Sequence, residues 1–276
     1  MEKGKIILIE GTDCSGKETQ SKKLIEKLNE KGAKAQYYSF PNYSSPTGKI
    51  VGLPYLGKPY LARDMIEEIR YDVHDKLWPS LDNSVDFKII DKVLDAAAEL
   101  LAHGWFKEGA TNVDSKVSSL LYAADRLYNL PEMMEILESG NNIVLDRYVY
   151  SNMAHQGGKE PTLEARQAMF EYIHYLEFVH NSLPDADVKI FLHMPTPYAN
   201  ILKAGREEEA DENERDLSHL IHAENTFLEV ASLYDFDTVS CIIKNNREIP
   251  LKEDIKSKEE IHKDVLKIVE KKLVLK

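Results

Sequence analysis

The sequence predicts an α/β protein, a parallel sheet covered by helices on both faces. Three observations point there. Short apolar runs rich in Ile, Val, Leu or Tyr recur at 6–10, 35–40, 143–146 and 188–193, with a weaker fifth at 238–243. Longer stretches with apolar residues at helical spacing lie between most of them. A glycine-rich turn at 11–19 joins the first run to the first helical stretch. Strands that alternate with helices pair in parallel and bury both faces of their sheet.

The elements follow in order. Residues 20–31 carry Leu24, Ile25 and Leu28 on one face and Lys and Glu on the other, and Gly32 is a stop signal. The stretch 54–114 shows no clear strand but has two helical patterns, 62–69 and 85–103. The second puts Ile89, Val93, Ala96, Ala97 and Leu100 on one face, which predicts burial against the rest of the molecule. We read 54–114 as a helical insertion within a single domain spanning 1–276. Residues 115–139 place Leu120, Leu121, Ala124, Leu127, Leu130, Met134 and Leu137 at helical spacing, and 163–183, 216–234 and 257–273 also read as helices. The charged stretch 203–216, KAGREEEADENERD, is either a solvated turn or a lid over a phosphate site.

Composition narrows the function. Of 276 residues, 43% are hydrophobic, which excludes a wholly disordered chain. No apolar run approaches the roughly 20 residues of a membrane span. With 35 Lys and Arg against 47 Asp and Glu, the net charge of −12 opposes binding to nucleic acid polymers or anionic lipid. Any phosphate chemistry must therefore sit in a small, focused site. Cys14 and Cys241 form neither a disulfide framework nor metal-site spacing, and the first residues do not read as a secretory leader. The expected compartment is the reducing cytoplasm. His219 and His222, three apart, read as a solvated helix face rather than metal ligands.

The strongest local signal is Gly11, Thr12, Asp13, Cys14, Ser15, Gly16, Lys17, Glu18 and Thr19, after a strand and opening a helix. That is the setting of a P-loop. The glycines allow close backbone approach, the amides and helix dipole face a polyphosphate, and Lys17 bridges the outer phosphates. The usual hydroxyl after the lysine is replaced by Glu18, with Thr19 one place later. A carboxylate also takes Mg²⁺, directly or through water, but it brings negative charge near phosphates.

Three further segments bear on the reaction. They are Phe40-Pro-Asn-Tyr43 after the second strand, Leu121-Tyr-Ala-Ala-Asp-Arg126 within a helix, and Asp146-Arg-Tyr-Val-Tyr-Ser-Asn-Met-Ala-His-Gln-Gly157 after the third strand. Strand ends share one rim of a doubly wound sheet, where ligands bind. Arg147 at that rim suits a phosphate fork; Tyr122 is placed to stack on a base and Asn152 to read its edge. A surface arginine and a plain salt bridge remain the bland alternatives for Arg126 and for the Asp146–Arg147 pair.

Together these motifs resemble the thymidylate kinases, within the P-loop nucleoside monophosphate kinases. The resemblance covers most of the chain except 54–114. It implies a five-stranded parallel sheet, a homodimer, and transfer of a phosphoryl group from MgATP to dTMP. It further implies that Lys17 binds the ATP phosphates, and that Asp13 lies near the acceptor sugar and the metal. Phe40 and Tyr43 would line the acceptor pocket, and Tyr122 would stack on thymine. Arg126 and Asn152 would meet its polar edge, and Arg147 would hold the acceptor phosphate. Asp146 would sit on the metal side beside Asp13 and Glu18, and Ser151 and Gln156 would complete the wall. His155 stands where the family often has tyrosine near the sugar. The family carries a charge-stabilising arginine in the P-loop or the lid. This P-loop has none, so Arg206 or Arg215 is the candidate, with Lys203 able to share the task. Two alternatives stand beside this reading: a related kinase of altered acceptor specificity, and a nucleotide-binding paralogue with little catalysis.

Overall fold

The structure is a computed structural model and describes residues 3–77, 87–103, 105–203, 217–243 and 250–273. Five strands form one all-parallel sheet in the order β2-β3-β1-β4-β5. They are β1 (Ile6–Gly11), β2 (Ala35–Ser39), β3 (Asn142–Asp146), β4 (Val188–His193) and β5 (Asp237–Ser240). β1 lies at the centre because it is apolar on both faces: Ile6, Ile7, Leu8 and Ile9 are all buried. Successive side chains point to opposite faces. Ile6 and Leu8 therefore join one core, Ile7 and Ile9 the other.

Each face has its own helices. Ile6 and Leu8 meet α5 (Ser115–Glu138), α6 (Val149–Gly157), α7 (Leu163–His174) and α9 (Leu217–Leu233) through Met133, Leu137, Met153, Phe170 and Val230. Ile7 and Ile9 meet α1 (Lys17–Glu30), α8 (Thr196–Lys203) and α10 (Lys258–Leu273) through Leu24, Leu28, Ala199, Val265 and Val269. No helix among the described residues is long and apolar enough to cross a membrane.

Three differences from the sequence reading have physical causes. The fifth strand stops at Ser240; beyond it the Cys241 backbone N–H donates to His193 O at 2.9 Å, and Ile242 bridges back to Ile255. The predicted helix at 163–183 is α-helical only to His174 and continues to His180 in a wider, π-type winding. Helix α6 went unread because nearly all of it is buried, so it has no polar face to create a period.

The short α2 (Pro46–Ile50) leads into the insertion, which carries α3 (Pro59–Asp72) and α4 (Phe87–Leu101). Its two ends lie side by side: Trp105 N–H donates to Pro54 O at 2.7 Å, and the Tyr55 hydroxyl donates to Ala110 O at 3.1 Å. The expected burial of one α4 face is corrected. Ile89, Val93, Ala96 and Leu100 are exposed, whereas Ile90, Leu94, Ala97 and Ala98 on the adjoining face are half-buried. Arg70 of α3 bonds to Asp91 and Asp95, which fixes that rotation of α4.

Candidate active site

The turn after β1 bends tightly. Cys14 and Gly16 both take left-handed φ, 57° and 81°, and Gly16 caps α1. Gly11 has no room for a side chain: a Cβ there would lie 2.6 Å from Leu192 O. The Thr12 hydroxyl donates to Met194 O at 2.6 Å and ties the loop to the end of β4. Lys17 turns back over the loop, donating to Gly11 O at 3.0 Å and Thr12 O at 2.9 Å. Burial lowers its pKa to about 8, with Arg147 adding to the effect.

A cleft of about 450 Å³ opens beside this loop, at the ends of β1, β2 and β3. It gathers Asp13, Glu18, Phe40, Tyr43, Tyr122, Arg126, Asp146, Arg147, Ser151, Asn152 and His155, all named from sequence. Gln156 is buried but does not line it. Arg206 and Arg215 lie outside the described residues. Lys203, at the end of α8, reaches Asp13 at 3.0 Å.

Asp13 is the junction of the two halves. Its carboxylate meets Lys203 and, at 3.6 Å, Arg147. Burial raises its pKa, but Arg147, Lys17 and Lys203 together outweigh this and hold it well below the usual carboxylate range. Arg147 has φ 66°, a conformation that costs free energy outside glycine and is held here by its N–H bond to Ile9 O at 3.2 Å. Asp146 accepts from the Tyr37 hydroxyl at 3.1 Å, and burial raises its pKa. Glu18 is exposed on α1 and bonds to Lys22 one turn on.

The inner end is aromatic and polar. Phe40 is buried against Tyr38 and Tyr148, and the Phe40–Pro41 peptide is cis. Tyr122 stands edge-on to Tyr55. Arg126 donates through Nε to both Glu177 oxygens at 3.0 Å, a pair buried from solvent. Asn152 is buried in the wall, and neither polar atom of its side chain has a partner among the described residues. His155 stacks on His219 with ring centroids 5.4 Å apart, and Nδ1 lies 3.3 Å from His219 Nε2. Burial, then His219 and Arg147, hold the His155 pKa well below the ordinary histidine value.

Three acids that organise the site were not singled out from the sequence. Glu10 accepts from Tyr148 N–H, Ser151 N–H and the Ser151 hydroxyl, and so anchors the start of α6. Asp125 accepts from Asn42 N–H, Ser45 and Thr47, and so shapes the loop after β2. Glu177 neutralises Arg126. Asp125 had a signal, its place beside Arg126 in the Leu121–Arg126 motif; Glu10 and Glu177 had none beyond being acids in apolar surroundings.

A glycine-rich loop at a strand–helix joint of an all-parallel sheet, open to a cleft with its own arginine, has the build of the P-loop kinase class. A family model described as thymidylate kinase matches residues 102–265. The chain belongs to the thymidylate kinase family. It is 29% identical to human thymidylate kinase over 57% of this chain and 50% of that protein. It is 23% identical to the probable thymidylate kinase of Pyrococcus abyssi over 99% of this chain and 98% of that one. The match to human thymidylate kinase thus spans about half of that relative's length. The solved structure of Candida albicans thymidylate kinase shares the fold, with a TM-score of 0.61 at 20% identity over 99% of this chain and 94% of that one.

Proposed function

We propose that this protein transfers the γ-phosphoryl group of ATP to dTMP. The observation that carries the reading is Asp13, a P-loop residue in contact with Arg147 of the neighbouring cleft. Donor and acceptor phosphates would thus meet at one point. Phosphoryl transfer needs this positioning and charge neutralisation more than covalent help. Lys17 binds the outer ATP phosphates, and Arg147 grips the acceptor phosphate. The Asn152 side chain, without a partner among the described residues, and Tyr122 give the cleft the character of a base pocket.

Mg²⁺ fits the donor set. Among the described residues no group of three or more His, Cys, Asp or Glu converges on a metal. Mg²⁺ commonly rests on one or two carboxylates plus substrate phosphates, and Asp13 and Asp146 supply carboxylates at the rim. The ion supplies charge neutralisation on the transferring group. Our reading also includes a cytoplasmic homodimer. The stripe of Val117, Leu120, Leu127 and Tyr128 exposed along α5 supports the pairing.

A coupled ADP-release assay across the deoxynucleoside monophosphates tests the function. Turnover chiefly with dTMP is expected. Turnover with another acceptor would favour a kinase of altered specificity, for which His155 and its partner His219 speak. Nucleotide binding without turnover would overturn the enzymatic reading.

A further inference from the structure

The insertion leaves an apolar stripe uncovered. Ile89, Val93 and Leu100 of α4 are 61%, 61% and 75% exposed, and Ala96 between them is exposed too. They follow one another at steps of four, three and four residues. That is the seam of a coiled coil, in which one helix covers another; apolar residues scattered singly over a surface have no such order. The adjoining face of α4 is already occupied. Ile90, Leu94, Ala97 and Ala98 are half-buried there, and Arg70 of α3 bonds to Asp91 and Asp95. The helix is thus held with its seam outward.

The charges beside the seam say what covers it. Lys92 and Glu99 each stand one residue before a seam residue, Val93 and Leu100, so both flank the same edge, and both are exposed. Rotate a second α4 about a twofold axis so that the two helices run antiparallel. Val93 then meets Ala96 of the second copy, Ile89 meets Leu100, and Lys92 meets Glu99, each pair formed twice. A flank that complements itself in this way marks an isologous contact. A parallel pairing would set Lys92 beside Ala97 and forfeit both ion pairs. An anionic membrane fits poorly: α4 sets Lys88 and Lys92 against Asp91, Asp95 and Glu99, in a chain of net charge −12.

We propose that two copies of this chain dock antiparallel along α4, and that the insertion serves assembly. The contact is distinct from the α5 pairing and does not depend on the phosphoryl-transfer reading. Its seam is short, so it is a weak, concentration-dependent contact rather than a permanent one. The surface charges beside it act chiefly on partner choice and orientation.

Charge reversal tests the pairing. Sedimentation equilibrium would be run over a concentration series on the native chain, Lys92→Glu, Glu99→Lys, and an equimolar mixture of the two variants. In either variant alone both ion pairs become like-charge pairs. Each should therefore need about tenfold more protein than the native chain to associate to the same extent. The mixture should recover the native curve, because each variant then presents the charge that the other lacks. Both residues are exposed and lie outside the cleft, so circular dichroism should show an unchanged fold. The α5 stripe is the same in every sample, so association through it cancels in the comparison. Identical curves for the native chain and both variants would overturn the proposal. So would a mixture that associates no better than its components, the result expected if a different protein or another segment of this chain covers the seam.

Discussion

The Ser151 hydroxyl lies 2.6 Å from Glu10 Oε2, joining the central strand to the start of α6 across the base of the cleft. The other oxygen of Glu10 accepts from Tyr148 N–H at 2.8 Å and Ser151 N–H at 3.0 Å. Both amides open the first turn of α6, where a carboxylate also meets the positive end of the helix dipole. Arg147, one residue earlier, is thereby fixed from both sides. Glu10→Ala leaves three buried donors without an acceptor, at about 1–3 kcal/mol each before relaxation. Urea unfolding should show a loss of at least about 2 kcal/mol, with a raised acceptor KM. Glu10→Gln retains an amide oxygen for the two N–H groups and should keep most of the stability.

Lys17 predicts a pH dependence of its own. Its pKa in the free protein is lowered to about 8 from the usual 10.5, chiefly by burial. A bound polyphosphate favours the charged form and raises it again. Above pH 8 the free protein has lost the proton, so ATP binding must take one up. ATP affinity should then fall as pH rises through 8, by up to about tenfold per unit. Below pH 7 it should be flat with respect to this group. Calorimetry in buffers of different ionisation enthalpy would count the proton. Lys17→Arg stays charged throughout and should show no such uptake.

The proposed function puts Arg147 on the acceptor side, although it touches Asp13 of the loop after β1. Losing one charge-assisted fork should cost about 1.5–3 kcal/mol in acceptor handling. Arg147→Ala should raise the acceptor KM, lower kcat, or both, with little change in ATP affinity. Steady-state kinetics with each substrate varied in turn would decide it. A fall in ATP affinity alone would move Arg147 to the donor side.

The buried Arg126–Glu177 pair separates stability from recognition. Removing one partner strands a charge away from water, and Glu177→Ala should cost about 3–5 kcal/mol. Replacing both, Arg126→Met with Glu177→Leu, should recover most of that by urea unfolding. The double variant should nonetheless bind dTMP poorly, because the cleft has lost a donor. A double variant that folds and binds dTMP normally would reduce Arg126 to a structural role.

How far the sequence reaches is visible in these residues. The strands were legible because each apolar run carries its own signal, and the P-loop because its glycines, lysine and flanking elements are adjacent. Cleft residues on the three motifs were legible for the same reason. Glu10, Asp125 and Glu177 were not, since their partners lie 141, 80 and 51 positions away and only folding brings them together. The rotation of α4 failed differently. Ile89, Val93 and Leu100 mark one stripe, but Ile90 and Leu94 mark another beside it. Periodicity finds a face; the Arg70 contacts from α3 choose which one is covered.

Glu18 is the residue that follows the P-loop lysine. It replaces the hydroxyl that usually follows the P-loop lysine, so it was expected to take part in metal binding. Its side chain is instead exposed and bonded to Lys22 on the next turn of α1. Asp146 lies buried at the rim, within the electrostatic reach of both Lys17 and Arg147. A carboxylate already paired with an ammonium offers a metal less than one desolvated beside the phosphates. Glu18 should therefore contribute little to Mg²⁺ and Asp146 much. ATP would be titrated into Glu18→Ser and Asp146→Asn, with Mg²⁺ and with a chelator. Glu18→Ser should keep nearly the native ratio of the two affinities, whereas Asp146→Asn should lose most of the gain that Mg²⁺ confers. Lys22→Ala adds a control, since freeing Glu18 from its partner lets the carboxylate turn toward the phosphates. In that variant metal-free ATP should bind more weakly through charge repulsion, with a smaller change for MgATP. A Glu18→Ser protein that loses its Mg²⁺ dependence would restore Glu18 as the metal ligand and remove Asp146 from that role.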